Sequence, residues 1–160
     1  MNDELCLGDI VEELLEGPCW VVDVLPRQVP SESAGQFFAV ERHLLSRPRV
    51  DEVFSGFASV LLKLNCYVDL HVSKDYSDDW EKNPEPSLLE AWVRGCASEP
   101  GGVSGVNAVA CEGDRVEALI SVRRDDLAMA IYGADDELLQ LIGMLASSEG
   151  LFLWKPPERP

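Results

Sequence analysis

The sequence predicts a single α+β domain, an antiparallel or mixed sheet of about five strands packed by about four helices. Two observations carry this. Amphipathic segments of helical period alternate with short β-branched runs along the chain. Near the C-terminus, GVNAVAC, RVEALISV and DLAMAIY are separated only by short turn-rich connections, which demand antiparallel neighbours and make a three-strand meander. Size and composition agree: 160 residues, 46% hydrophobic and 26% charged, suit one core. No repeat or linker divides the chain, so residues 1–160 read as one domain, with a flexible tail expected over 155–160.

Taken in order, Asp9 to Glu16 carries Ile10, Val11, Leu14 and Leu15 at helical spacing, with Asp9 and Glu12 as a capping pair and Gly17 as a stop. CWVVDVL then reads as a strand, and PRQVPSESAG as an exposed loop. QFFAVERHLL is ambiguous. Phe37/Phe38 and Leu44/Leu45 fall seven apart as on a helix, yet FFAV alone would serve as a buried strand, so residues 36–45 stay open between the two. Asp51 is placed to cap EVFSGFASVLLKLN, whose Val53, Phe54, Phe57, Ala58, Val60, Leu61 and Leu64 form a wide apolar stripe.

CYVDLHVS alternates, with Cys66, Val68, Leu70 and Val72 on one side and Tyr67, Asp69, His71 and Ser73 on the other. KDYSDDWEKNPEP reads as a surface loop. Ser87 and Glu90 form a capping box for a helix that would bury Leu88, Ala91, Trp92 and Cys96 and stop at Pro100-Gly101-Gly102. After the meander, Asp135, Asp136 and Glu137 place negative charge at the start of a helix burying Leu138, Leu139, Leu141, Ile142 and Leu145, and LFLW closes as a strand.

Charge narrows the function classes. Twenty-nine acidic residues face 13 Lys and Arg, a formal net charge of -16. A field of that sign repels phosphate backbones and anionic lipid, which argues against nucleic-acid and membrane partners and favours a basic protein. The first ten residues lack the basic and apolar regions of a secretory signal, and no run of apolar residues is long enough to span a bilayer; a cytoplasmic location is expected. The five cysteines are scattered, with no C-x-x-C pair, and read as reduced small hydrophobes.

Candidate sites are few. Tyr67, Asp69 and His71 share one face by alternation, and an Asp beside a His can orient an imidazole as a general base, or the three could anchor a small ligand. Any antiparallel sheet with one wet face shows the same alternation, and no nucleophile motif accompanies it. Asp75, Ser77 and Asp79 fall at the first, third and fifth places of a calcium loop, but Trp80 stands where Gly is needed and Pro86 where the bidentate Glu is needed. GGVSG precedes a strand rather than opening a helix, so it is no phosphate loop, and His43 and His71 with distant cysteines give no zinc pattern. No metal or cofactor is expected.

Two features suggest binding. Residues 1–16 hold six acids and no base, whereas Arg27, Arg42, Arg47 and Arg49 make residues 27–49 net positive. Trp80 in a polar segment and Trp154 before KPPERP are, with Arg42, Arg47 and Arg49, the residue types enriched at binding hot spots. The expectation is a non-catalytic acidic interaction domain, of the inhibitor, immunity or adaptor kind, for a basic partner. A ligand-binding regulatory domain and an enzyme using Asp69 and His71 are the alternatives. The edge strand LFLW makes homo-oligomerisation conceivable.

Overall fold

In the computed structural model, residues 6–97 and 102–157 are described, and they form five α-helices and one seven-stranded sheet. The elements run α1 (Leu7–Leu15), β1 (Cys19–Asp23), a 3-10 turn (Ser31–Ser33), α2 (Ala34–Leu44), α3 (Arg49–Leu64), β2 (Asp69–Lys74), β3 (Glu81–Lys82) and α4 (Pro86–Gly95). They continue with β4 (Gly105–Glu112), β5 (Arg115–Arg123), β6 (Ala128–Tyr132), α5 (Asp136–Ser148) and β7 (Phe152–Trp154). Strand order is β3-β2-β4-β5-β6-β1-β7, and every pairing is antiparallel. The expected meander is β4-β5-β6.

Period-two alternation divides the sheet into two faces. On one, Val22, Leu70, Val72, Ala108, Ile120, Met129 and Ile131 join Phe54, Phe57, Leu61 and Leu64 of α3, Leu89 and Val93 of α4 and Ile142 of α5 in the main core. The other face carries a smaller cluster in which Leu7 and Val11 of α1 cover Val109, Cys111 and Leu119, with Leu14, Trp80 and Tyr132 around it. At about 25 cal/mol per Å² of apolar surface, the three-helix face supplies most of the stabilisation and α1 a smaller share. Among the described residues no helix is long and apolar enough to cross a membrane.

Several expectations are corrected. About five strands and four helices become seven and five among the described residues. Part of the segment read as a loop is β3, whose Glu81 and Lys82 are both exposed; backbone pairing to β2 makes it a strand, and an edge strand of two polar residues has no hydrophobic period to betray it. Residues 36–45 lie in α2 and its C-cap, a helix without one buried residue, which is why its apolar pattern pointed two ways.

Three predicted caps do not cap. α1 begins at Leu7, ahead of Asp9, and α4 begins at Pro86, where proline's fixed φ suits the first helical position and Glu85 O accepts from Leu88 N and Leu89 N. The buried stripe of α4 therefore runs Leu89, Val93, Cys96, while Leu88 and Ala91 face water. Asp51 sits in the first turn of α3, which starts at Arg49, rather than at its cap. Asp135 does cap α5, accepting from Leu138 N at 2.9 Å. The helix stop at Pro100-Gly101 and the last residues of the tail lie outside the described residues, as do Asp3 and Glu4 of the acidic N-terminus.

Candidate functional site

The structure separates Tyr67 from its two supposed companions. β2 starts at Asp69, so Tyr67 stands in the turn after α3, 66% exposed, beside a different cleft bordered by Arg115 and Leu141. Asp69 and His71 do share the face that α1 partly covers, opposite Cys111 and Val109 of β4. Asp69 is engaged by the fold: Asn83 Nδ2 donates to its Oδ1 at 2.9 Å, and Lys82 Nζ lies 3.9 Å from Oδ2. Partial burial pushes the His71 imidazole below its ordinary pKa, the Lys82 ammonium adds to this, and Asp69 opposes it. A His held toward its neutral form is a hydrogen-bonding group rather than a cation at neutral pH.

Trp80 and Trp154 lie toward opposite edges of the sheet, Trp80 just before β3 and Trp154 on β7. Trp80 packs on the cluster over β4 and β5, with β6 and β1 between it and β7, so the two indoles belong to separate clefts. Trp154 packs inward: its buried indole N–H has no well-formed hydrogen bond but lies beside the Asp23 carboxylate, whose anion it helps to stabilise. Of the arginines, Arg47 pairs with Asp51 at 3.2 Å and Arg49 with Glu52 at 3.2 Å, both along the start of α3. Arg42 stands apart on the exposed side of α2.

Trp80 leads to a site that sequence reasoning did not assemble. On the α1 face of the sheet, a cleft of about 590 Å³ runs between α1 and the β2–β3 connection. Its floor is Asn107 of β4 with Ser121 and Arg123 of β5, one wall is Asp9, Val11 and Glu12 of α1, and the other is Tyr76, Asp78 and Trp80. Two residues in left-handed conformation, Asp75 at φ 57° and Tyr76 at φ 59°, turn the chain after β2. That turn is held by Asp75 Oδ1 accepting from Ser104 N at 2.7 Å and by Asp75 N donating to Gly105 O at 2.9 Å. Glycine at 105 leaves room for this close approach, since a Cβ would lie 3.1 Å from Val122 O and 2.8 Å from the Tyr76 hydroxyl.

The cleft combines three carboxylates and one guanidinium with aromatic surface. Among the described residues Asp9, Glu12 and Asp78 make no ion pair, and Arg123 is the one cation lining the cleft. Trp80 is half-buried against the α1 cluster and Tyr76 is 61% exposed. Carboxylates at a rim attract ammonium and guanidinium groups, and aromatic faces add cation–π attraction of about 0.5–1 kcal/mol at exposed sites. The sequence signal was the acidic helix and the isolated Trp80. Their meeting depends on α1 crossing β4 and β5, which no local pattern records.

The remaining chemistry is spare. Among the described residues no three His, Cys, Asp or Glu side chains cluster as metal ligands. Burial pushes the Cys96 thiol up to about 12 and raises the Cys111 thiol as well, so neither is a ready nucleophile. No protein-family model matches the chain, no curated protein matches it, and no solved structure matches it.

Proposed function

We propose that this chain is a non-catalytic protein-interaction domain that receives a basic segment of a partner protein in the cleft between α1 and the β2–β3 connection. The observation that carries the reading is the combination in one cleft of about 590 Å³ of Asp9, Glu12 and Asp78, which make no ion pair among the described residues, with Tyr76 and Trp80, against the single lining cation Arg123. The formal charge of -16 supports it by steering basic partners toward the surface and raising association rates. Inhibition or adaptor function follows when the bound segment is one the partner needs for its own contacts. Tyr67, Asp69 and His71 take no part in this reading, since Tyr67 stands apart and Asp69 is committed to Asn83 and Lys82.

The test is NMR titration of the labelled protein with a hexa-arginine peptide and, separately, a hexaglutamate control. The reading expects amide shifts concentrated in residues 7–15, 75–80, 107 and 121–123, weakening as salt rises toward about 0.5 M. Asp9→Asn with Glu12→Gln should weaken binding about tenfold. Shifts spread evenly over the acidic surface, or none, would count against a specific cleft.

A further inference from the structure

We propose that a second cleft, on the far side of Trp80 from the first, seats an alkylammonium group, the lysine side chain of the partner's basic segment, against the face of Trp92. This subsite rests on the reading of the α1 cleft as the receiver of that segment. The second cleft has a volume of about 320 Å³, and Lys74, Asp75, Asp79, Trp80, Glu81 and Trp92 line it. Strand alternation builds its walls. Lys74 shares the side of Val72, and Glu81 pairs with Val72, so both stand on the face of the sheet that carries α4, where Trp92 is half-buried against the main core. Trp80, one residue before Glu81, packs on the α1 cluster of the opposite face and borders both clefts at the sheet edge.

An ammonium already sits there. Lys74 Nζ lies 5.7 Å from the centroid of the Trp92 ring. Among the described residues Lys74 makes no ion pair, and neither do Asp79 and Glu81. Asp75 is engaged by the fold, its Oδ1 accepting from Ser104 N. An indole face with two carboxylates beside it thus holds one exposed lysine, and cation–π attraction at an exposed site is worth a factor of about two to five in binding. A contact that weak gives way to a better-placed cation. A basic segment held in the α1 cleft supplies one: Trp80 is common to both clefts, so a lysine further along the segment meets Trp92 at a local concentration on the order of millimolar. Lys74 then moves into solvent, and Asp79 and Glu81 balance the charge that has entered.

Titration of the isotope-labelled full chain with hexalysine, followed by NMR at its four indole N–H signals and its amides, tests this at about 0.15 M salt. The Trp80 and Trp92 indole signals should move together with the amides of residues 7–15, while those of Trp20 and Trp154 stay in place. Trp92→Leu should weaken binding about threefold, and Trp92→Phe, which keeps an aromatic face, should weaken it less; the amide spectra of both variants show whether they fold. Lys74→Met clears the ring of its resident ammonium and should tighten binding about twofold, more than Lys63→Met, which removes the same charge at the end of α3. A Lys74→Met variant that binds no more tightly than Lys63→Met overturns the subsite. So does a stationary Trp92 signal while residues 7–15 shift, an outcome that leaves the α1 cleft reading intact. Movement of Trp92 without residues 7–15 defeats the α1 cleft and the subsite's dependence on it, and no localised shift at either place defeats both.

Discussion

Asn83 holds Asp69: its side-chain Nδ2 donates to Asp69 Oδ1 at 2.9 Å, while its Oδ1 accepts from Leu70 N at 2.9 Å and from Asn65 Nδ2 at 2.8 Å. Its backbone N–H donates to Leu70 O at 2.7 Å, and it adopts φ 48°, a left-handed conformation that asparagine tolerates better than most residues. One side chain thus ties the end of α3 and the start of β2 to the segment after β3. The carboxylate singled out as a catalytic candidate is thereby part of the frame.

Asn83→Ala removes three side-chain hydrogen bonds and leaves Leu70 N without its acceptor. A loss of about 1–3 kcal/mol is expected in urea unfolding. Asn83→Asp keeps an acceptor for Leu70 N but sets a second carboxylate against Asp69, and should also destabilise at neutral pH. An unchanged urea midpoint in both would show that the network does not contribute.

His71 should titrate below its ordinary value of 6.5, because partial burial and then Lys82 disfavour the imidazolium more than Asp69 favours it. The folded state therefore prefers neutral His71. The stability it contributes is present above the unfolded value and is lost as pH falls through the folded one. Imidazole NMR titration should show the midpoint rising in Lys82→Gln and falling further in Asp69→Asn. A midpoint at or above 6.5 in the unaltered chain would contradict the arrangement.

Asp23 carries the opposite sign. Burial raises its carboxyl above the usual 3.8, despite the Leu25, Val24 and Trp154 N–H groups that stabilise the anion, and Asp126 nearby adds to the rise. Since the folded state binds this proton more tightly than the unfolded chain, the favourable contribution is fully present below the unfolded value and is lost as pH rises through the folded one. Asp23→Asn, which retains an acceptor for Leu25 N, should raise the Tm at pH 7, with a smaller gain at pH 4. An equal change at both pH values would point to packing instead of ionisation.

Gly133 separates backbone strain from contact. It sits at φ +81°, and a Cβ there would lie 2.7 Å from Cδ2 of Leu14, whereas Gly113 at φ +62° has open space around the same position. Gly113→Ala should cost about 1–2 kcal/mol from backbone conformation alone. Gly133→Ala should cost more, by whatever Leu14 loses in moving aside from Tyr132 and the rest of the α1 cluster. Equal losses would mean that Leu14 shifts freely and that α1 is loosely docked.

Elements with a strong period were legible without coordinates. The stripe of α3, the alternation of Leu70 and Val72, the β4-β5-β6 meander and the acidic start of α5 each depend on residues within a few positions of one another. β3 and α2 were not, because neither buries a hydrophobic face that would imprint a pattern. Trp80 stood out in the sequence, yet its place between a core cluster and an acidic cleft comes from α1 lying across β4 and β5.

The amino-acid order by itself determined the α+β class, the uneven charge and the buried stripe of α3, because helix and strand periods and net charge are local or additive quantities. Strand order, the parting of Tyr67 from Asp69 and of Trp80 from Trp154, and the meeting of Asp9 and Glu12 with Asp78 were decided only by tertiary structure. Their physical reason is shared. Each depends on which apolar face covers which, a choice made between segments distant in sequence when the core closes, and no window of neighbouring residues contains it.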